Sequence, residues 1–227
     1  MPRSNCIQLF LFLLLFMLCP VKGYNQIRSI FDHLGMEDGL SFNNVNSIYQ
    51  DRSGFIWIGT QNGVNRYDGR RIVAYAPDSE HPDYPIRGLQ FREDHSGNLW
   101  INGYETLALF HPRSEQFELF SDVQDGRRIM ICYLYLDKRG TFWVGTQFHG
   151  LMRFDPETKR FLSFAEDFNK NLPPRFVLQI LEDSFGSLWF SYPNGLYQFQ
   201  WKDSSLHYHP FQEDFATVLD DRMIRSL

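Results

Sequence analysis

The chain has 227 residues, 43% of them hydrophobic, and a formal net charge of −5. That is enough apolar material for one or two domains with a core. The acidic balance argues against a nucleic-acid or anionic-membrane surface as partner. The first 23 residues differ from the rest. Arg3 supplies a positive start, and Ile7 to Cys19 forms an almost unbroken apolar run that Pro20 ends. The run is short for a bilayer span, and Val21-Lys22-Gly23 precedes Tyr24 as a cleavage site, so residues 1–23 read as a secretory signal peptide. An uncleaved anchor is the rival reading; a lipoprotein at Cys19 fits less well because Met17 and Leu18 are bulky. Losing the leader removes Arg3 and Lys22 but no acid, which moves the charge of −5 two units further negative.

The remaining chain repeats itself. Asp-x-x-Gly-x-x-Trp occurs as Asp51, Gly54 and Trp57, then as Asp94, Gly97 and Trp100. It returns as Asp137, Gly140 and Trp143, and again as Asp183, Gly186 and Trp189. Four of the five tryptophans hold this one position. A period of about 40–50 residues is a repeat-architecture signature.

Each unit reads as four strands. Val45 to Gln50 alternates with apolar groups on both sides, as for a strand packed on two faces. Asp51 to Gly54 is a turn, in which Asp can bond its own backbone and Gly accepts positive φ. Phe55 to Ile58 is a second strand, Gln61-Asn62-Gly63 a hairpin turn, Val64 to Tyr67 a third strand, and Arg71 to Tyr75 a fourth. Helical periodicity is absent after Gly23. Four antiparallel strands per unit is a propeller blade. The fold class is therefore all-β, an incomplete β-propeller after a signal peptide. The expected layout is a leader over 1–23, an N-terminal strand and lead-in over 24–44, and blades near 45–86, 87–128, 129–175 and 176–221. Residues 222–227 match the opening of a fifth blade, so the sequence is expected to be a truncated propeller. The repeat Asp and Gly serve the turn and the repeat Trp packs between blades; none is expected to be catalytic.

Other chemistry is sparse. Cys6 and Cys19 lie in the leader, leaving Cys132 in a strand-like run as a small buried hydrophobe. His207 and His209 share one side of an exposed outer strand without a third metal ligand. Glu93-Asp94 and Glu182-Asp183 sit at the repeat turn. No phosphate loop, HExxH or Gly-x-Ser-x-Gly motif is present. No cofactor and no metal site is expected.

These residues resemble the two-component regulator propeller family. Its opening phrase is matched by Phe31-Asp-His-Leu34 and Glu37-Asp-Gly-Leu-Ser41, and its blade signature by Trp57-Ile-Gly-Thr60 and Trp143-Val-Gly-Thr146 with Gly150-Leu-Met-Arg-Phe-Asp155. The second blade departs at Asn102 and Thr106 to Phe110, the fourth at Phe190-Ser-Tyr192. The resemblance implies the N-terminal periplasmic sensor region of a Bacteroides-type hybrid two-component system. In such a system a membrane helix, a histidine kinase, a receiver and a DNA-binding domain lie further along the chain. The implied role is recognition of an oligosaccharide, with a second sensor chain as homodimer partner and the parent anchored in the inner membrane. The fragment itself is expected to be non-catalytic and not to bind nucleic acid. The alternatives are a propeller enzyme, such as a lyase or a quinoprotein-like dehydrogenase, or a truncated fragment without function.

From the architecture, a ligand is expected on the face where blade connections and second-to-third strand turns emerge together. The connections offer Asn44, Arg87, Arg128 and Arg175; the turns offer Asn62, Tyr104, His149 and Tyr192. Amides, guanidinium groups and aromatics suit sugar hydroxyls and flat ring faces.

Overall fold

The computed structural model describes residues 32–75, 86–170, 172 and 176–211. The expected leader, residues 24–31 of the lead-in, Arg175 and the start of a fifth blade lie outside them. The chain divides into two compact units, Met1–His33 and Leu34–Leu227. All described strands belong to the second.

Four sheets follow one another, each a four-stranded antiparallel meander. The first holds β1 (Val45–Gln50), β2 (Ile56–Thr60), β3 (Gly63–Tyr67) and β4 (Ile72–Tyr75); the second holds β5 (Gln90–Glu93), β6 (Leu99–Asn102), β7 (Leu107–His111) and β8 (Gln116–Phe120). A two-stranded ribbon, β9 (Val123–Gln124) and β10 (Arg127–Arg128), precedes the third sheet. That sheet holds β11 (Ile131–Leu136), β12 (Phe142–Thr146), β13 (Leu151–Asp155) and β14 (Arg160–Ser163). One helical turn, α1 (Phe164–Asp167), leads on to the fourth: β15 (Ile180–Glu182), β16 (Leu188–Tyr192), β17 (Gly195–Gln200) and β18 (Ser205–Pro210). First strands of successive sheets are neighbours: β1 beside β5, β5 beside β11, β11 beside β15. This is the architecture of propeller blades.

The repeat motif explains each sheet. Asp51 Oδ1 accepts the Phe55 N–H and its Oδ2 accepts the Trp57 indole N–H at 2.7 Å. The same clamp joins Asp94 to Trp100 at 3.1 Å, Asp137 to Trp143 at 2.8 Å and Asp183 to Trp189 at 2.8 Å. One carboxylate thus closes the turn between the first two strands and fixes the indole that packs toward the next sheet. The repeat glycines all have positive φ, between 82° and 89°, where a side chain is strained.

Each pair of sheets shares one apolar cluster. Trp57 and Val64 meet Phe91 and Phe110 between the first two. Trp100 and Leu107 meet Leu134 and Phe154 between the second and third, and Trp143 and Leu151 meet Ile180 and Phe190 between the third and fourth. Each such side chain contributes about 1.5–3 kcal/mol when fully buried. Buried carboxylates add polar ties. Glu93 Oε2 accepts the Tyr49 hydroxyl at 3.1 Å and the Arg52 N–H at 3.0 Å; Glu182 Oε2 accepts the Lys138 N–H at 2.9 Å. The paired carboxylates of the sequence are thereby accounted for.

Several details depart from expectation. β1 is largely exposed, with Ile48 at 68%, because only its second-sheet side has a partner among the described residues. Trp189 is half-buried for the same reason and stacks on His209. Residues 32–44, the described part of the lead-in, carry a 3-10 turn at Met36–Asp38. After it, Ser41 N–H donates to Asn65 Oδ1 at 2.8 Å and Ser41 Oγ meets Thr60 Oγ1 at 2.8 Å. The Gly-Leu-Ser phrase is thus a plug on buried polar groups of the first hairpin. Cys132 is half-buried, at a β-bulge of β11, and burial pushes its thiol up to about 11. It therefore stays a thiol at neutral pH.

Burial opposes ionisation of Asp94, but bonds from the Asn98 side chain, the Trp100 indole and backbone N–H groups outweigh it and hold its carboxyl below the usual range. A carboxyl depressed on folding stabilises above its unfolded pKa and loses that contribution as pH falls through the folded value. Asp94→Asn is therefore expected to lower stability at pH 7 and to flatten its decline below about pH 4, as read from urea midpoints at pH 7 and pH 3.

Candidate functional site

The β12–β13 turn carries Gln147, Phe148 and His149. Thr146 ties it off: its Oγ1 donates to the Gly150 carbonyl at 2.8 Å and accepts the His149 N–H at 2.9 Å. This fixes the His149 backbone. Its Nε2 lies 3.2 Å from the Gln124 carbonyl oxygen. A carbonyl only accepts, so in the neutral ring Nε2 carries the proton and Nδ1 is a bare acceptor. Nδ1 is buried and has no partner.

Gln124 is placed by the ribbon. Asp125 and Gly126 have φ of 52° and 72° between Gln124 and Arg127, which pair across it. Asp-Gly with two positive φ values is the preferred two-residue hairpin loop. Arg127 and Arg128, in the connection before the third sheet as expected, are strand residues of this ribbon. The Asp-Gly signal in the sequence could have found it.

Tyr192 ends β16, at the repeat position that Thr60 and Thr146 hold in their sheets. Threonine there closes its own hairpin; a phenol is too long to do so. Tyr192 is fully buried, against its expected place on a surface turn. Its hydroxyl has no hydrogen-bond partner, the Leu151 backbone beside it falling short of bonding geometry. Burial pushes its ionisation well up, so it remains a neutral donor.

His149 and Tyr192 line one cavity of about 150 Å³ between the third and fourth sheets. Leu151, Ala165 and Leu172 give it apolar walls. Gln124, Asp125, Ser163 and Glu166 add polar lining that the sequence reading missed. For Ser163 and Glu166 the hint was the third repeat interval, longer than the other two by three residues, where α1 falls; for Gln124 and Asp125 it was the Asp-Gly pair. Tyr104 and Arg128 lie beside this site. The Tyr104 hydroxyl donates to Gln147 Oε1 at 2.9 Å, and Arg128 lies 3.8 Å from Glu105. Asn44, Asn62 and Arg87 are exposed on the first sheet or the approach to the second and do not line the cavity. Arg175 lies outside the described residues. Backbone bonds tie the second and third connections to the preceding hairpin, Ile131 N–H to Tyr104 O and Val177 N–H to Thr146 O, so there the connection and the turn share a face.

Among the described residues no helix is long and apolar enough to cross a membrane. Residues 39–62, which include the first hairpin, match the family model described as two component regulator propeller. Among solved structures, the extracellular domain assigned to the hybrid two component system BT3049 of B. thetaiotaomicron aligns with a TM-score of 0.65 and 23% identity, over 78% of this chain and 26% of that one. The extracellular domain assigned to the one component system BT4673 of the same organism aligns with a TM-score of 0.64 and 20% identity, over 84% and 28%. A protein described as a gluconolactonase follows at a TM-score of 0.52 and 12% identity, over 76% and 64%. The chain thus spans about a quarter of the length of the first two, and at these identities the likeness establishes the fold. No curated protein matches the chain. The blade repeat in four successive sheets and the opening phrase docked on the first hairpin thus accompany a match, over residues 39–62, to the two component regulator propeller family model.

Proposed function

We propose that the chain is part of the ligand-sensing region of a two-component regulator, exported to the periplasm, and that it recognises an oligosaccharide without turning it over. In the parent protein, two sensor chains would shift against each other on binding, and an attached kinase would read the shift. The carrying observation is the cavity on the turn-bearing face, where a buried imidazole nitrogen and a buried phenol lack protein partners. Such groups are costly unless a ligand or water completes them. The expected leader supports export, and the family supports a regulatory role.

The test is calorimetric titration of the full chain with a panel of plant and host oligosaccharides, with chromatography of each mixture afterwards. Saturable heat with unchanged sugar is expected. Product formation would replace this reading with an enzymatic one, and absence of binding across the panel would remove it.

A further inference from the structure

We infer that the cavity between the third and fourth sheets accepts one sugar ring that carries no negative charge; this rests on the sensing role proposed above and names its subsite. Size comes first. About 150 Å³ is the space in which a six-membered ring has been seen to settle inside a protein. Polarity comes second. His149 Nδ1 needs a donor, and the Tyr192 hydroxyl can donate or accept. A pair of sugar hydroxyls meets both, which a purely accepting ligand cannot. Leu151, Ala165 and Leu172 then face the C–H surface of the ring.

Charge comes third. Among the described residues the ionisable side chains of the lining are Asp125, Glu166, His149 and Tyr192, with no Lys or Arg. Three described arginines of the flanking segments are engaged elsewhere. Arg127 lies over the Phe148 ring at 5.8 Å, Arg128 faces Glu105, and Arg153 donates to Asp167 at 2.5 Å. Two carboxylates welcome hydroxyl protons and repel a uronate or sulfate. The site therefore selects against acidic sugars.

The experiment is titration of the full chain, followed by calorimetry and ligand-observed NMR. The uncharged probes are D-glucose, D-galactose, D-mannose, L-arabinose and N-acetyl-D-glucosamine; the acidic ones are D-glucuronate and D-galacturonate. At least one uncharged probe is expected to bind saturably, and both acids at least tenfold more weakly. Tyr192→Phe is expected to weaken that binding roughly tenfold, the loss of about one hydrogen bond, while the melting temperature holds or rises because the lost hydroxyl had no partner. Equal or tighter binding of the acids overturns the inference. So does unchanged binding by Tyr192→Phe, or no saturable binding of any probe. An oligosaccharide that binds wild type and Tyr192→Phe alike would leave the sensing role standing and remove this cavity as its site.

Discussion

Gly59→Ala is expected to lower stability by about 3 kcal/mol or more, at the upper end for overpacking. A Cβ built there lies 1.8 Å from the Gly88 carbonyl oxygen and 2.7 Å from Ser47 Oγ. Both neighbours are held: the Ser47 hydroxyl donates to that same carbonyl at 2.6 Å, and Gly59 pairs with Ser47 and Val64 inside its sheet. Backbone meets backbone between the first two sheets, so little can give. Gly97→Ala is the comparison. Nothing lies within 4 Å of its Cβ, and its φ of 82° is the whole obstacle, worth about 1–2 kcal/mol. Urea unfolding of both variants checks the order; a Gly59→Ala variant no weaker than Gly97→Ala would refute the close approach.

Trp143→Ala is expected to cost about 4 kcal/mol, as for other large-to-small core changes. The indole is 1% exposed, packs against Phe164 and Trp201, and donates to an Asp137 carboxylate that is itself 3% exposed. Its removal leaves both a void and a buried acceptor without its donor. Trp189→Ala removes the same clamp from a half-buried site and should cost roughly half as much. Equal losses in denaturant unfolding would mean that the following sheet does not set the value of the repeat tryptophan.

The frame of the fold was legible because the Asp, Gly and Trp positions recur in phase, and the strands of the first unit fall close to where alternation and turn residues put them. Burial was less legible. β1 carries apolar groups on both faces, yet exposure depends on whether another sheet lies against it, which no local pattern encodes. α1 is a single turn and too short to show a period. The candidate site was half visible. His149 and Tyr192 stood out as turn residues in the repeat frame. That Tyr192 turns inward follows from threonine holding its position in two other sheets, a comparison of repeats rather than of neighbours. Gln124, Asp125 and Glu166 come from segments outside the repeat, where there is no phase to compare.

The one-cluster-per-junction packing has a consequence for how substitutions combine. Among the described residues each junction between successive sheets has its own apolar cluster, so the stability of these sheets is close to a sum of sheet terms and nearest-neighbour junction terms. Damage at the Gly59 junction and at the Trp143 junction involves no shared side chains and should add, whereas two changes within one junction should not. The fold can therefore vary one junction, such as the one that encloses the cavity, while the others keep their packing.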